Sequence, residues 1–380
     1  MAGGAGLEPK TWIEVSRRAL ESNFDALKKV SHPAQVMAIV KANAYGHGLS
    51  GVVKILDRKG ATWFGVDSAE EALHVRSLVG RKNILVLGYV PVKNMASLVK
   101  KDIAFVVYDE RGLSGAKRAG TKSRPARIHL KAETGLYRQG AKMDELLRLA
   151  KQAKASLNVV VEGLSTHFAN IEDTANSQYA KQQERVFKQA FEELKKIGVE
   201  PSFCHTACSA AAILHPTTRM DVVRTGIALY GLWPSEAVEK QGRKTLHLKP
   251  VLTWKTVVAQ VKDVPSGQQV GYGLTHRYKR AGKIAVLPIG YADGYDRVGQ
   301  SGRGEVLIRG KRCPIVGRIC MNMCMVDVTR IAQVKAGDEV VLLGEQGRER
   351  VTAEDLALRM DSINYEVVAR LNPLIKRVVH

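Results

Sequence analysis

Eight short apolar runs alternate with helix-patterned segments through about the first 230 residues, and that alternation restricts the fold more than any other feature of the chain. The runs lie near residues 36–40, 63–66, 84–88, 103–108, 126–131, 159–166, 202–206 and 222–229. They have strand length, and most are apolar on successive residues, as strands covered on both faces are. The intervening segments carry helical spacing. Ser16 stands as a cap before Leu20, Phe24, Leu27 and Val30, a second pattern runs from Ser68 to Leu78, and the clearest runs from Ser177 to Ile197 and stops at Gly198. Eight strand–helix pairs predict an α/β fold, a parallel (β/α)8 TIM-like barrel. A doubly wound open sheet competes, but no Gly-x-Gly-x-x-Gly opens the first βα unit.

The pattern changes after Lys249-Pro250. Helical spacing fades, and short alternating runs follow at Leu252 to Val261, Lys283 to Pro288, Glu305 to Arg309, Met323 to Val328 and Glu339 to Leu343, separated by glycine turns. The expected division is therefore a barrel over 1–245 and a mostly β C-terminal domain over 246–380.

Composition excludes several function classes. No stretch reaches the roughly 18 consecutive apolar residues of a membrane span, so no membrane partner is expected. Met1 to Glu8 lacks a basic region followed by an apolar one, which leaves the cytoplasm as the expected compartment. Five cysteines (Cys204, Cys208, Cys313, Cys320, Cys324) include no Cys-x-x-Cys pair and form no disulfide framework, so neither metal nor disulfides are expected. A net charge of +21 would suit a nucleic-acid binder, but the basic residues are scattered as singles and pairs, with few aromatics to stack bases. A solvated basic surface, which would favour anionic substrates or suit the host's cytoplasm, is the better reading, without nucleic acid.

The polar residues at the ends of the runs carry the chemistry, because a barrel presents its catalytic groups at the C-terminal ends of its strands. Lys41 closes the apolar run Val36 to Val40 and opens Ala42-Asn43-Ala44-Tyr45-Gly46-His47-Gly48. A desolvated lysine favours its neutral amine, which can form a Schiff base with an aldehyde cofactor or accept a proton. Lys131 ends the fifth run with Arg138 in the loop beyond, Thr166-His167 ends the sixth, His205 ends the seventh before Ser209, and Arg224 lies in the eighth. Ser209-Ala210-Ala211-Ala212 reads as a helix start, and Gly226 permits close backbone approach, as phosphate sites after strands seven and eight require.

Val40-Lys41-Ala42-Asn43-Ala44-Tyr45-Gly46-His47-Gly48 resembles the cofactor-lysine motif of bacterial alanine racemases, which use pyridoxal 5'-phosphate. Arg224 to Gly231 resembles the family's segment for the cofactor ring nitrogen and phosphate. Gly271-Tyr272-Gly273 resembles its catalytic-tyrosine motif, and Pro288 to Gly294, with Tyr291, its active-site entrance. Arg318-Ile319-Cys320-Met321 and Ile363-Asn364-Tyr365-Glu366 extend the likeness from Trp12 to about Asn372.

The resemblance implies a two-base racemase in which Lys41 holds pyridoxal phosphate and exchanges the Cα proton on one face, and Tyr272 on the other. It implies cofactor contacts from Tyr45, His167, Ser209, Arg224, Gly226, Ile227 and Tyr365. It places Arg138 and Met321 on the substrate, Lys131 at a position that often carries a carbamate, and Tyr291 at the entrance. His167 and Arg224 would supply the positive charge or strong hydrogen bonds a phenol needs to act as a base. Arg224 facing the pyridine nitrogen would keep it unprotonated and suppress transamination, because a guanidinium does not give up its proton. Tyr272 and Met321 would reach the opposite subunit's barrel, so a homodimer with shared active sites is implied. The substrate would be alanine, with D-alanine destined for peptidoglycan. Racemases of serine or lysine, a related barrel decarboxylase and a single-barrel pyridoxal-phosphate carrier are the alternatives. Glu133, Leu136-Tyr137, Cys208 and Asn322-Met323 depart from the family's usual residues.

Overall fold

Eight parallel strands form the sheet that organises the larger part of the chain. The computed structural model describes residues 8–172 and 176–380; residues 1–7, which fall in the segment read for a secretory signal, lie outside the described residues. Contacts divide the chain into two compact units. One comprises Arg18–Ala44 and Val52–Pro250, the other the residues up to Arg17, Tyr45–Gly51 and Val251–His380.

After a first strand, β1 (Thr11–Val15), come β2 (Gln35–Ile39), β3 (Trp63–Val66), β4 (Asn83–Val86), β5 (Ala104–Val107), β6 (Ala126–Lys131), β7 (Val159–Ser165), β8 (Phe203–His205) and β9 (Val222–Thr225). The sheet order is β8-β7-β6-β5-β4-β3-β2-β9, all parallel. Its two end strands meet. Asp221 N donates to Cys204 O at 3.2 Å and Arg224 N to Ala207 O at 2.9 Å, closing the barrel between β8 and β9. The expected (β/α)8 architecture is therefore present, with each apolar run on a strand. The eighth run, read to 229, is strand only as far as Thr225 and then turns into a short 3-10 segment, Ile227–Tyr230.

Helices follow the strands for local reasons. Ser68 caps Ala69–Leu78 by accepting from Glu71 N, and Asp109 caps Glu110–Ala119 by accepting from Gly112 N. Leu20, Phe24 and Leu27 of Arg17–Ser31 are fully buried, as their spacing predicts, at about 1.5–3 kcal/mol each. Gln178–Lys196 buries Ala180, Phe187, Ala190 and Leu194 along one stripe.

The second unit is mostly β. Its strands after β1 are β10 (Leu252–Val257), β11 (Gln260–Val264), β12 (Gln269–Val270), β13 (His276–Arg277), β14 (Gly282–Leu287), β15 (Glu305–Ile308), β16 (Lys311–Val316), β17 (Cys324–Asp327), β18 (Glu339–Gln346), β19 (Glu349–Val351) and β20 (Lys376–Val379). The main path runs β11-β14-β17-β16-β15-β18-β10-β1-β20, with β19 on β18. The run read as one strand over 252–261 is two, because the chain changes sheet neighbour between β10, paired with β18, and β11, paired with β14. β1 sits between β10, antiparallel, and β20, parallel. The first strand of the chain thus belongs with its last 130 residues or so, a pairing across more than about 230 positions that no local pattern announces.

Candidate active site

Lys41 lies two residues beyond the end of β2, and the backbone after it is unusual. Ala42, Asn43, Ala44 and Tyr45 all adopt left-handed conformations with φ between 51° and 54°, and Ala44 N donates to Val40 O at 2.9 Å. Four non-glycine residues in this region cost roughly 1–2 kcal/mol each, a strain that persists where function demands a particular geometry. The segment ends the extended course of the chain directly after Lys41. The side chain is 40% exposed and its Nζ lies 3.3 Å from Asp67 Oδ1. The expectation of a buried ammonium at a strand end is corrected here: the amine has a carboxylate partner and solvent access. On the other side of the rim, Tyr230 OH donates to Ile39 O at 2.9 Å, which ties the segment after β9 to the end of β2.

Arg224, on β9, is the best-anchored side chain of the barrel site. Its Nη1 donates to His205 Nδ1 at 2.8 Å and His205 O at 2.6 Å. Its Nη2 faces Thr166 O at 2.7 Å, Thr206 O at 3.0 Å and His167 Nδ1 at 3.1 Å. Both terminal nitrogens are engaged, which leaves Nε as the guanidinium donor without an acceptor among the described residues. Burial lowers the pKa of Arg224 to about 10, still charged at neutral pH. His167 is pushed well below the ordinary imidazole value, first by burial and then by Arg224, Arg138, Lys131 and Lys41. Arg224 carries the positive charge of this pair, and His167 adds a neutral ring whose Nδ1 is turned to that guanidinium.

Lys131 ends β6 and donates to Gln139 Oε1 at 2.8 Å. Burial, then the charges of Arg224, Arg138 and Lys41, bring its pKa down to about 8. Four cations therefore converge at the C-terminal rim, a setting for an anionic ligand. Arg138 is exposed in the loop after β6. Its neighbour Tyr137 holds φ 53° with 80% of its surface exposed, and Glu133 Oε1 accepts from Gly135 N at 2.6 Å in the same loop.

Ser209 opens a helix, as expected, and its Oγ accepts from Gly226 N at 3.0 Å and more weakly from Ala228 N at 3.5 Å. Backbone N–H groups from the segment after β9 thus converge on a hydroxyl that keeps its own proton to donate to an anionic oxygen. Cys208, just before it, is buried, and its thiol is pushed up to about 11 by burial and by Glu172, so it stays neutral.

The remaining expected residues lie in the second unit. Tyr45 and Tyr365 face each other, ring centroids 6.2 Å apart, and Arg377 clamps the carbonyl of Gly46 at 3.0–3.1 Å. Tyr272 sits in a turn between Gly271 (φ 80°) and Gly273 (φ 73°), a conformation that requires glycine on both sides. β12 and β13 carry this turn on a small core of Val264, Val270, Tyr278, Ile284 and Val316. Tyr272 is 67% exposed, whereas the phenols of Tyr278 and Tyr295 are buried and raised in pKa, chiefly by burial, and so are unfit as bases. Tyr291 and Met321 are joined through the backbone: Tyr291 N donates to Cys320 O at 3.1 Å and Ala292 N to Met321 O at 3.0 Å.

Sequence reading missed His129 and Glu162. His129 Nδ1 lies 2.8 Å from His205 Nε2, and His129 Nε2 lies 3.2 Å from Glu162 Oε2. The signal was present in β6, where Arg127, His129 and Lys131 alternate with Ala126, Ile128 and Leu130, giving one face of a barrel strand three polar side chains. Among the described residues no group of three or more His, Cys, Asp or Glu is placed to hold a metal, and no helix is long and apolar enough to cross a membrane.

Comparison with known proteins bears on what this arrangement does. Residues 15–234 match the alanine racemase N-terminal domain and residues 251–379 the C-terminal domain. An alanine racemase of Symbiobacterium thermophilum is 41% identical over 98% of this chain and 97% of its own length. The structure of the Bacillus anthracis alanine racemase with bound L-Ala-P superposes with a TM-score of 0.92 at 34% identity, covering 99% of this chain and 96% of that one. A histidine racemase from Leuconostoc mesenteroides superposes with a TM-score of 0.87 at 28% identity, covering 98% of both chains.

Proposed function

Because the chain belongs to the alanine racemase family, we propose that it interconverts L-alanine and D-alanine with two bases, Lys41 and Tyr272, and supplies D-alanine for peptidoglycan. The observation that carries this reading is likeness over nearly the whole chain to proteins named for that activity, at 41% identity over 98% of the residues. Pyridoxal 5'-phosphate is the cofactor we infer, and the donor chemistry of the barrel rim supports it. The Ser209 hydroxyl, which accepts from the N–H groups of Gly226 and Ala228 and keeps its own proton to donate, suits a phosphate, and the free Nε of Arg224 suits an unprotonated ring nitrogen. Bound there, the group would supply an electron sink that acidifies the substrate Cα–H.

The chain's own residues supply the rest. Lys41 would hold the cofactor and move the Cα proton on one face. Arg224 donates from Nε while its other nitrogens are locked, and its charge at neutral pH keeps a ring nitrogen from being protonated. His167 orients the guanidinium through Nδ1. Ser209, Gly226, Ile227, Tyr45 and Tyr365 would bind phosphate. Arg138 binds the substrate carboxylate through its planar fork, and Lys131, as a carbamate, would give Arg138 an anionic partner. Tyr272 serves the opposite face, with Met321 beside the substrate and Tyr291 at the entrance. We infer a cytoplasmic homodimer in which the partner's Tyr272 completes each barrel site. The exposed set Tyr272, Leu274, Tyr291, Met321 and Met323 on the second unit supports a covered surface there.

The second reading is a racemase with a broader substrate range, serine and lysine included. The histidine racemase of the same fold and the exposed ring of Tyr137 beside Arg138 favour it. Racemisation assayed across a panel of amino acids, with cofactor attachment followed by borohydride bleaching of the visible band, tests both. Activity confined to alanine, lost together with the band in Lys41→Ala, is the expected result. A band that survives Lys41→Ala, or no racemisation of any amino acid, would overturn the assignment.

A further inference from the structure

A line of polar side chains runs through the barrel interior from Arg224 towards the opposite end of the strands. Arg224 Nη1 donates to His205 Nδ1 at 2.8 Å, His205 Nε2 meets His129 Nδ1 at 2.8 Å, and His129 Nε2 meets Glu162 Oε2 at 3.2 Å. Arg127 closes the line, with Nη2 and Nε donating to Glu162 Oε1 at 2.7 and 2.9 Å, and its Nη1 reaches Asp102 Oδ1 at 2.8 Å. His205 and His129 are fully buried, and Trp63 lies edge-on to His129 with centroids 6.0 Å apart, which keeps water from replacing a link.

The chemistry at the two ends dictates where each proton lies. A guanidinium can only donate, so His205 Nδ1 must accept and the His205 proton sits on Nε2. That proton points at His129 Nδ1, so His129 also carries its hydrogen on Nε2 and gives it to Glu162, a carboxylate that can only accept. Donors therefore arrive at Glu162 from both sides, through two imidazoles from Arg224 and directly from Arg127. Burial first, with neighbouring Arg224, holds His205 well below the ordinary imidazole range, and burial outweighs Glu162 in lowering His129. Burial raises Glu162, but hydrogen bonds from His129 and Arg127 outweigh it and keep the group ionised.

The local backbone is shaped around this line. Ile128 pairs with Val161 but His129 pairs with Gly163, so Glu162 is the extra residue of a bulge in β7, the device that re-aims a side chain out of simple alternation. A Cβ on Gly163 would stand 2.1 Å from His129 Nδ1, so the absence of a side chain there makes room for the ring.

We propose that Glu162 is a positioning residue for the racemisation site, fixing His129 and His205 as neutral Nε2–H tautomers and through them the orientation of Arg224. The inference rests on the proposed racemase for its catalytic consequence and on the geometry alone for its tautomers. In Glu162→Gln the amide oxygen is claimed by Arg127, which turns the amide NH2 towards His129 Nε2. His129 then accepts there and donates from Nδ1, His205 is reversed in the same way, and its Nδ1–H faces the N–H of Arg224. Glu162→Asp keeps the acceptor and serves as the conservative rescue.

The test uses cofactor-loaded protein with 15N-labelled histidine, whose proton–nitrogen correlations read the tautomer of each ring. Wild type is expected to show both rings neutral with the proton on Nε2 across roughly pH 6–9, the range where an ordinary histidine finishes titrating. Glu162→Gln should move both protons to Nδ1 and lower kcat roughly tenfold with KM changed little, and Glu162→Asp should restore the tautomers and most of kcat. Charged or Nδ1–H rings in wild type, unchanged tautomers in Glu162→Gln, or equal kcat losses in both variants would overturn the proposal. The tautomers are read without substrate. A protein that shows the ordered line but racemises nothing would refute the proposed activity and not the line, and an active racemase with unordered rings would do the reverse.

Discussion

Replacing Lys131 by methionine should stabilise the protein at neutral pH in buffer freed of carbon dioxide. The lysine's pKa falls from 10.5 to about 8 in the folded chain, led by burial and then by the cations Arg224, Arg138 and Lys41. At 1.36 kcal/mol per pH unit this displacement corresponds to about 3 kcal/mol of penalty on the charged form. The hydrogen bond from Lys131 to Gln139 returns about 1 kcal/mol, so the variant should gain about 2 kcal/mol. Between about pH 8 and 10.5 the unfolded chain binds the proton that the folded chain has released. Wild-type stability therefore rises with pH through that window, and the advantage of Lys131→Met, complete below about pH 8, vanishes by about pH 10.5. The same shift raises the neutral amine at pH 7 from about 0.03% to about 10% of the population, and that amine is the form that captures carbon dioxide. Added bicarbonate should accordingly stabilise wild type by replacing a cation with an anion among three others, and leave Lys131→Met unmoved. Thermal unfolding of both proteins from about pH 7 to 10.5, with and without bicarbonate, measures each part. A methionine variant less stable than wild type in carbon-dioxide-free buffer would refute the electrostatic reasoning.

Three further outcomes are expected. Tyr272→Phe should lower kcat for L-alanine about a hundredfold or more and affect the D-alanine direction less, as an isotope-resolved assay of each enantiomer would show; equal losses in both directions would contradict the assignment of faces. Ser209→Ala removes the acceptor shared by the N–H groups of Gly226 and Ala228 and one donor to phosphate, so cofactor retention on dilution should weaken about tenfold, read by the visible absorbance. Ala42→Gly places a permissive residue at φ 52° on an exposed position; relief of roughly 1–2 kcal/mol less the added chain entropy should raise stability by about 0.5 kcal/mol, and a loss in thermal unfolding would show the turn is not strained.

Much of the site could be read from the chain because strand-end chemistry is local. Lys41, Lys131, His167 and His205 each follow or end an apolar run and Arg224 lies within one, and the run itself says which end of the barrel the first four occupy. Gly271 and Gly273, which frame Tyr272, both take positive φ, so the two glycines are the visible mark of that turn. The strained segment after Lys41 was not legible in this way. Ala42 and Ala44 carry no mark of a left-handed turn, which the surrounding structure imposes against their preference, and Asn43, which tolerates that region, does not announce four such residues in a row. Glu162 escaped notice because alternation along β7 gave no reason to aim it inward, and only the bulge opposite His129 does so.

The sequence by itself determined the strand–helix alternation, the change to β structure near residue 250, and the identity of the groups available to each strand end. These depend on periodicity and on residue chemistry, which are properties of a few neighbouring positions. Tertiary structure alone decided that β1 pairs with β10 and β20, and that Lys41 meets Asp67 and solvent and is not buried. It alone decided that Arg224 is read through two histidines by a carboxylate on β7. Partners distant in the chain meet only when the barrel closes, and the proton positions on His205 and His129 follow from which donors and acceptors then face them.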